Sequence, residues 1–317
     1  MEKDEICVSV IMSVYNAEDS LKEAVDSILN QTFTDFEFII IDDASTDSSY
    51  KILSQYTDRR IRIICNKENL GLTKSLNKAL KYATGKYIAR MDADDISMPN
   101  RLEKQIHYME MHAEVALISC SYTQFGHCKE REENRVIRLS PSQIKGHLFF
   151  GTVLPHPGFV FRRDLYSQYR IKYNEKMKYA QDYDFQVRVS GKFKIACLPD
   201  ILVKYRVSDK QISTQKFAEQ QECANRVRQI QFRRYGIACN HKQIELIRRI
   251  NRNQQAEFTF SQIVCAYFLL LKIFLKLNPS RTEEKKVICE IAISYIRMLN
   301  AVMKQRWVKF FLPDKSA

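Results

Sequence analysis

The chain reads as an α/β fold, a mostly parallel sheet with helices on both faces, followed by a helical C-terminal region. Three observations predict it. Five near-continuous apolar runs, at residues 8–14, 36–41, 61–65, 86–91 and 115–119, have strand length and leave no polar face for water. Amphipathic stretches with helical spacing separate them. Past about residue 213 the strand signals stop and long helical patterns take over.

Taken in order, the first run (8–14) precedes a helical stripe of Leu21, Ala24, Val25, Ile28 and Leu29. The runs at 36–41 and 61–65 follow, then a second stripe of Leu72, Leu76, Ala79 and Leu80. The run at 86–91 leads to a third, Leu102, Ile106 and Met109, and to the strand at 115–119. Residues 124–138 are polar and charged and read as a surface insertion. Short strands are expected at 159–161, 194–198 and 201–205, with a helix over 183–189 between the first two. A boundary at 208–213 divides the chain into domains 1–210 and 211–317, the second with helices near 215–235, 241–254, 259–277 and 282–311. No internal repeat or low-complexity tract interrupts this order.

With 317 residues, 45% of them hydrophobic and 27% charged, the chain has the composition of a folded soluble protein. Its nine cysteines are scattered without a Cys-x-x-Cys pair, which argues against a disulfide framework or a zinc site and for a reducing, cytoplasmic setting. The N-terminus, Met-Glu-Lys-Asp-Glu, has neither the basic start nor the cleavage site of a secretory signal. The net charge of +13 is unevenly placed. From Lys204 onward there are 22 basic and 9 acidic residues, which accounts for all of the excess. A segregated positive field suits a polyanionic partner, either nucleic acid or the anionic face of a membrane.

In a sheet of this kind ligands sit beyond the carboxyl ends of the strands. The fourth run ends in Asp92-Ala-Asp94-Asp95, three carboxylates within four residues. Acids this close repel unless a cation offsets them, and hard divalent ions such as Mg²⁺ or Mn²⁺ take oxygen ligands while still holding phosphates. Asp95 equally serves as a helix cap ahead of Pro99. The first run ends in Ser13-Val-Tyr15-Asn16 and the second in Asp42-Asp43-Ala-Ser45-Thr46-Asp47. An aromatic at one strand end and a carboxylate at the next suit a nucleobase such as uracil, although Ser45 or Thr46 also suits an N-cap and Tyr15 a packing role. After the third run, Gly71 permits a tight turn, and Lys67 or Lys74 stands where a phosphate could be met.

Five motifs now stand in order: Val-Ser-Val-Ile-Met-Ser-Val-Tyr-Asn, Ile-Ile-Ile-Asp-Asp-Ala-Ser-Thr-Asp, Asn-Leu-Gly, Gly85-Lys-Tyr-Ile-Ala-Arg-Met-Asp-Ala-Asp-Asp and Met98-Pro-Asn-Arg101-Leu. Together they resemble the family 2 glycosyltransferases of the GT-A fold, over about residues 6 to 208. The resemblance implies a Rossmann-like sheet and an inverting enzyme that uses a nucleotide-diphosphate sugar, usually a UDP-sugar, with Mn²⁺ or Mg²⁺. Carried over by position, it places Ser13 and Tyr15 in the base pocket, Asp43 on the uracil, Asp92 near the ribose, Asp94 on the metal and Asp95 in support. It also implies a general base at the start of a helix, where this chain has Gln181-Asp182, with Gln181 replacing the usual Glu. Asp182 is then the expected base. His156 of His156-Pro-Gly and Gln181 fall on the acceptor side, and Arg206 near the diphosphate. Bacterial polysaccharide, lipopolysaccharide or capsule assembly is the usual setting of such enzymes, with a glycan or lipid-linked acceptor.

Two other functions compete with this one. A nucleotidyltransferase needs a Gly-rich phosphate loop near the first strand, and the sequence has none. A nucleic-acid-binding module is suggested by the basic C-terminal third, which nevertheless lacks zinc-finger spacing and RNP-like aromatics, so no nucleic-acid partner is expected. Residues 258–277 are long enough in principle to span a bilayer, but Glu257 and Gln262 near one end and Lys272 inside disfavour a spanning helix. This segment, and 298–312 with Trp307, fit a helix lying peripherally on an anionic inner membrane face, or else a bundle or homodimer contact.

Overall fold

The computed structural model describes residues 6–126, 131–209, 211, 215–251, 254–277 and 282–311. Its strands are β1 (Val8–Val14), β2 (Phe36–Asp42), β3 (Ile61–Cys65), β4 (Tyr87–Asp92), β5 (Ile96–Ser97), β6 (Val115–Phe125), β7 (Glu133–Arg135), β8 (Val160–Arg162) and β9 (Lys194–Arg206). All join one sheet in the order β3-β2-β1-β4-β8-β6-β9-β5, with β7 paired to β6. The long ladders, β1 with β2 and β4, β2 with β3, and β6 with β9, are parallel. The antiparallel pairings of β4 and β6 with β8, β5 with β9 and β6 with β7 are short. The sheet is therefore mostly parallel, as expected.

Helices α1 (Leu21–Leu29), α2 (Ser49–Leu53), α3 (Leu72–Tyr82) and α4 (Arg101–Met111) connect the first strands. Alternation along β1 explains their packing. Val8, Val10, Met12 and Val14 join one core cluster with Leu21, Val25 and Ile28 of α1 and Leu102, Ile106 and Met109 of α4. Buried Leu76, Ala79 and Leu80 of α3, which contacts β1 and β2, lie outside that cluster. Residues of opposite parity thus feed opposite faces of the sheet. On β4 this parity separates Ala89 and Met91, inside the cluster, from Arg90 and Asp92.

Two expectations change. The strands expected at 194–198 and 201–205 are one strand, β9, whose pairing with β6 slips around Cys120 and Ser121. Pro199 and Asp200, which read as a break, lie where the register slips and need no ladder partner. The polar insertion at 124–138 is partly sheet, since β6 runs through Phe125 and β7 pairs back onto it. Residues 127–130 between them lie outside the described part.

The chain packs as two compact units, Met1–Pro141 with Leu154–Gln220, and Ser142–Val153 with Gln221–Ala317. The first also holds a 3-10 turn (His156–Gly158), α6 (Asp164–Ser167) and α7 (Gln181–Ser190). The second holds most of α5 (Pro141–His147) and of α8 (Phe217–Arg234), then α9 (His241–Asn251), α10 (Phe260–Leu277) and α11 (Glu283–Phe311). It has its own core, in which Phe149, Phe150, Phe232, Ile247, Leu270, Ile288 and Leu299 are all buried.

Candidate active site

The carboxyl ends of β1, β2 and β4 are level. Ser13 pairs in register with Ile41 on β2 and Asp92 on β4, and the Asp43 N–H donates to the Val14 carbonyl at 2.8 Å. Ser13, Tyr15, Asp43 and Asp92 are thereby brought to one edge of the sheet. Tyr15 is 49% exposed there, leaving ring surface open to a ligand. Asn16 and Ala44 both adopt positive φ, 49° and 59°, and turn the chain away from the strands. Asn16 then laces the two loops together. Its N–H donates to Ser45 Oγ at 3.1 Å, and its Oδ1 accepts from the Thr46 N–H at 2.8 Å.

Asp43 has more to do than its sequence position suggests. It is 1% exposed, and Oδ1 accepts from Asn66 Nδ2 at 2.6 Å and from the Leu70 N–H at 2.9 Å. Oδ2 accepts from the Gly71 N–H at 2.8 Å. The carboxylate therefore pins the loop that starts α3, in which Gly71 adopts a φ of 85°. Lys74 lies exposed in the first turn of that helix.

Asp92, Asp94 and Asp95 each bring one oxygen within 4.8 Å of the others. Asp92 is ion-paired to both terminal nitrogens of Arg90, two residues back on the same face of β4. Asp95 is 1% exposed; Oδ1 accepts from the Arg206 N–H at 2.7 Å, and Oδ2 is buried without a hydrogen-bond partner. The Arg206 guanidinium donates to the Asp94 carbonyl at 2.7 Å and pairs with Glu23, so β9 locks the turn that carries the acids. Burial and the neighbouring Asp92 charge push the Asp94 carboxyl up to about 6. Burial, with Asp94 and Asp92, raises Asp95 well above the usual carboxylate range. Crowded acids that resist ionisation are suited to a divalent cation, whose charge removes the conflict. The donor set fits such an ion. Asp92 is committed to Arg90 and one oxygen of Asp95 to Arg206, whereas half-buried Asp94, whose carboxylate accepts from the neutral Gln211 side chain, is the ligand an ion takes most readily, with Asp95 Oδ2 behind it.

Arg90 is the residue that sequence reasoning missed. It is 2% exposed within the sheet, and its field bears on Asp94, Asp95, His156, Tyr173 and Asp182. The available signal was an arginine inside an otherwise apolar strand, where a buried cation needs an acid partner. Arg101, quoted only as part of a motif, is fully buried and donates to the Arg90 carbonyl at 2.8 Å, bracing β4 from α4.

Asp182 occupies the first turn of α7, half-buried, where its carboxylate accepts the Tyr183 N–H. Burial raises its pKa, and Asp92 adds to this while Arg90 opposes it. These couplings tie the start of α7 to the end of β4. Asp184, the other acid in that turn, is bonded by Arg188 Nε at 2.7 Å, so it is already spoken for. Gln181 is 6% exposed and its Oε1 is buried without a partner. His156 is buried, with Nε2 2.9 Å from Tyr173 Oη; burial first and Arg90 second hold its pKa well below the ordinary value. Asn77 fixes Tyr173 through both backbone groups, at 2.9 and 3.0 Å.

The model of glycosyl transferase family 2 matches residues 9–170. An uncharacterized glycosyltransferase of Methanocaldococcus jannaschii is 32% identical over 89% of this chain and 97% of its own length. WfgD of Escherichia coli, described as a UDP-Glc:alpha-D-GlcNAc-diphosphoundecaprenol beta-1,3-glucosyltransferase, is 31% identical over 68% of this chain and 83% of its own. Among solved structures, residues 1–349 of S. aureus TarS in complex with UDP-GlcNAc superpose with a TM-score of 0.60 at 17% identity, covering 92% of each chain.

Proposed function

The chain belongs to glycosyl transferase family 2 and is a glycosyltransferase, and from that premise we propose that it moves a sugar from a nucleotide diphosphate, UDP first, to a hydroxyl of a glycan or lipid-linked acceptor, with inversion. The observation that carries this is the half-buried, raised-pKa Asp182 at the start of α7, coupled to the carboxylates at the end of β4. UDP as donor nucleotide is supported by the UDP-Glc donor in the name of WfgD and by the UDP-GlcNAc complex of TarS. The lipid-linked acceptor in the name of WfgD supports that acceptor class here.

In this reading residues 1–210 carry the chemistry. Tyr15 and Ser13 receive the nucleobase, with Asp43 at the pocket's floor, and Asp92 reaches the ribose. Asp94 holds a divalent ion, Mn²⁺ or Mg²⁺, backed by Asp95. Such an ion, when bound, offsets the charge that develops on the departing nucleoside diphosphate. Arg206 and Lys74 add positive charge on that side. His156 and Gln181 shape the acceptor side, with the unpartnered Gln181 Oε1 able to accept from a sugar hydroxyl.

Asp182 acts as general base. It takes the proton of the acceptor hydroxyl as that oxygen bonds to the anomeric carbon, while the bond from that carbon to the phosphate oxygen breaks on the opposite face. One displacement inverts the centre. A raised pKa suits this task, because a base poised nearer neutrality takes a proton more readily than an ordinary exposed aspartate. Asp182→Asn keeps the shape and loses the proton acceptor. Calorimetry should show unchanged UDP affinity while turnover falls at least about a hundredfold. Turnover within about threefold of the parent defeats the assignment.

A further inference from the structure

Helix α10 has two unlike faces. Ile263, Ala266, Leu269, Leu270, Ile273 and Leu277 are buried in the core of the helical unit. At about 100° per residue, the opposite side carries Phe260, Val264, Tyr267, Phe268, Leu271 and Leu275, an apolar stripe roughly 100° wide. Phe260, Phe268 and Leu275 are 64%, 65% and 70% exposed. Exposed large apolar side chains in a continuous stripe mark a contact surface.

The border of the stripe is basic. Lys272 and Lys276 follow it on one side, and Phe268, Leu271 and Leu275 line a shallow depression together with them. Lys276 runs past Gly236 in the turn after α8, and Arg233 and Lys272 both act on Cys239 nearby. No Asp or Glu occurs anywhere from residue 258 to residue 282.

We propose that this outer face of α10 is a peripheral docking surface for an anionic lipid bilayer. Aromatic and leucine side chains enter the boundary between headgroups and acyl chains, while lysines beside them reach lipid phosphates. The helix lies in the interface and does not cross it, because its inner face, Ile263, Ala266, Leu269, Leu270, Ile273 and Leu277, is sewn into the core of its own unit. A second copy fits less well. The stripe and its border hold lysines and no acid, so a like face offers nothing to pair with them. The other sequence candidate divides differently. Through Val302, α11 contributes Ile288, Cys289, Ala292, Tyr295 and Leu299 to the core, so this part is structural; the side chains of 306–311, Trp307 included, lie outside the described residues.

The test uses the full chain in vesicle co-sedimentation, with phosphatidylcholine alone against phosphatidylcholine mixed with phosphatidylglycerol. Expected is partition onto the anionic vesicles that weakens with salt. Phe268→Glu with Leu275→Glu should lower it at least tenfold at an unchanged melting temperature. Lys272→Glu with Lys276→Glu, which leaves the apolar stripe intact, should remove the preference for anionic lipid. Parent-like partition of the first variant overturns the proposal. So does failure of the parent to bind either vesicle, or a parent dimer in sedimentation velocity that the first variant disperses while neither protein pellets with lipid. None of these readouts depends on sugar transfer, so the docking surface and the proposed reaction stand or fall separately.

Discussion

Asp43→Ala separates two roles that the sequence assigns to one residue. If Asp43 only met a nucleobase, its loss would weaken UDP and leave the fold alone. In the structure its carboxylate accepts three hydrogen bonds, from Asn66 Nδ2, Leu70 N–H and Gly71 N–H, while 1% exposed. Bonds to a charged acceptor contribute about 1.5–3 kcal/mol each, and removing the acceptor strands its donors. Leu70 and Gly71 are only partly buried, so water can recover part of that loss. The net cost is then about 3 kcal/mol, roughly a 150-fold shift in the folding equilibrium. Urea unfolding without nucleotide measures it, and hydrogen exchange at the Leu70 and Gly71 amides locates it. Exchange at these amides should accelerate in the variant before any global opening. A change below about 0.5 kcal/mol, with parent-like protection at both amides, refutes the pinning argument.

Other expectations follow from the same geometry. The Asp94 carboxyl sits at about 6 because of burial and Asp92, and a proton there competes with a cation. Apparent Mn²⁺ affinity should therefore fall as pH drops through 6, by about fourfold between pH 7.5 and 5.5, with Asp94→Asn binding weakly at every pH; calorimetry at those two values checks both. His156 is held neutral in the fold by burial and then Arg90, whereas the unfolded chain takes that proton near pH 6.5. The unfolded state then binds more protons, so stability falls as pH drops below about 6.5, by at most about 1.4 kcal/mol per unit. His156→Gln should show a flatter melting profile between pH 7 and 5.5 than the parent. Gly85→Ala drives a Cβ to 2.6 Å from the Ser9 nitrogen and 2.7 Å from the Val8 carbonyl carbon, both backbone of β1. It should cost about 3 kcal/mol by denaturation without altering UDP affinity, since Gly85 precedes β4 at the end of the sheet away from Asp92.

Sequence alone determined the elements whose pattern is local. Parallel strands buried on both faces must be apolar throughout, so β1 to β4 showed themselves, as did the stripes of α1, α3 and α4 and the long helices after residue 213. The carboxylates of 92–95 were legible because three acids in four residues are costly unless something offsets them. Tertiary structure decided everything that depends on residues far apart in the chain. Asp43 serves the start of α3 because Asn66, Leu70 and Gly71 fold back onto it. Asp182 stands apart from Asp184 because Arg188 binds only the latter, and β9 is one strand because its register slips against β6. Arg90 shows the limit most clearly. Its side chain is a charge in an apolar run, which local pattern treats as an interruption; only packing shows that Asp92 pairs it and that His156, Tyr173 and Asp182 gather around it. Hydrophobic periodicity records which face a residue takes, whereas a buried charge is defined by partners that no local window contains.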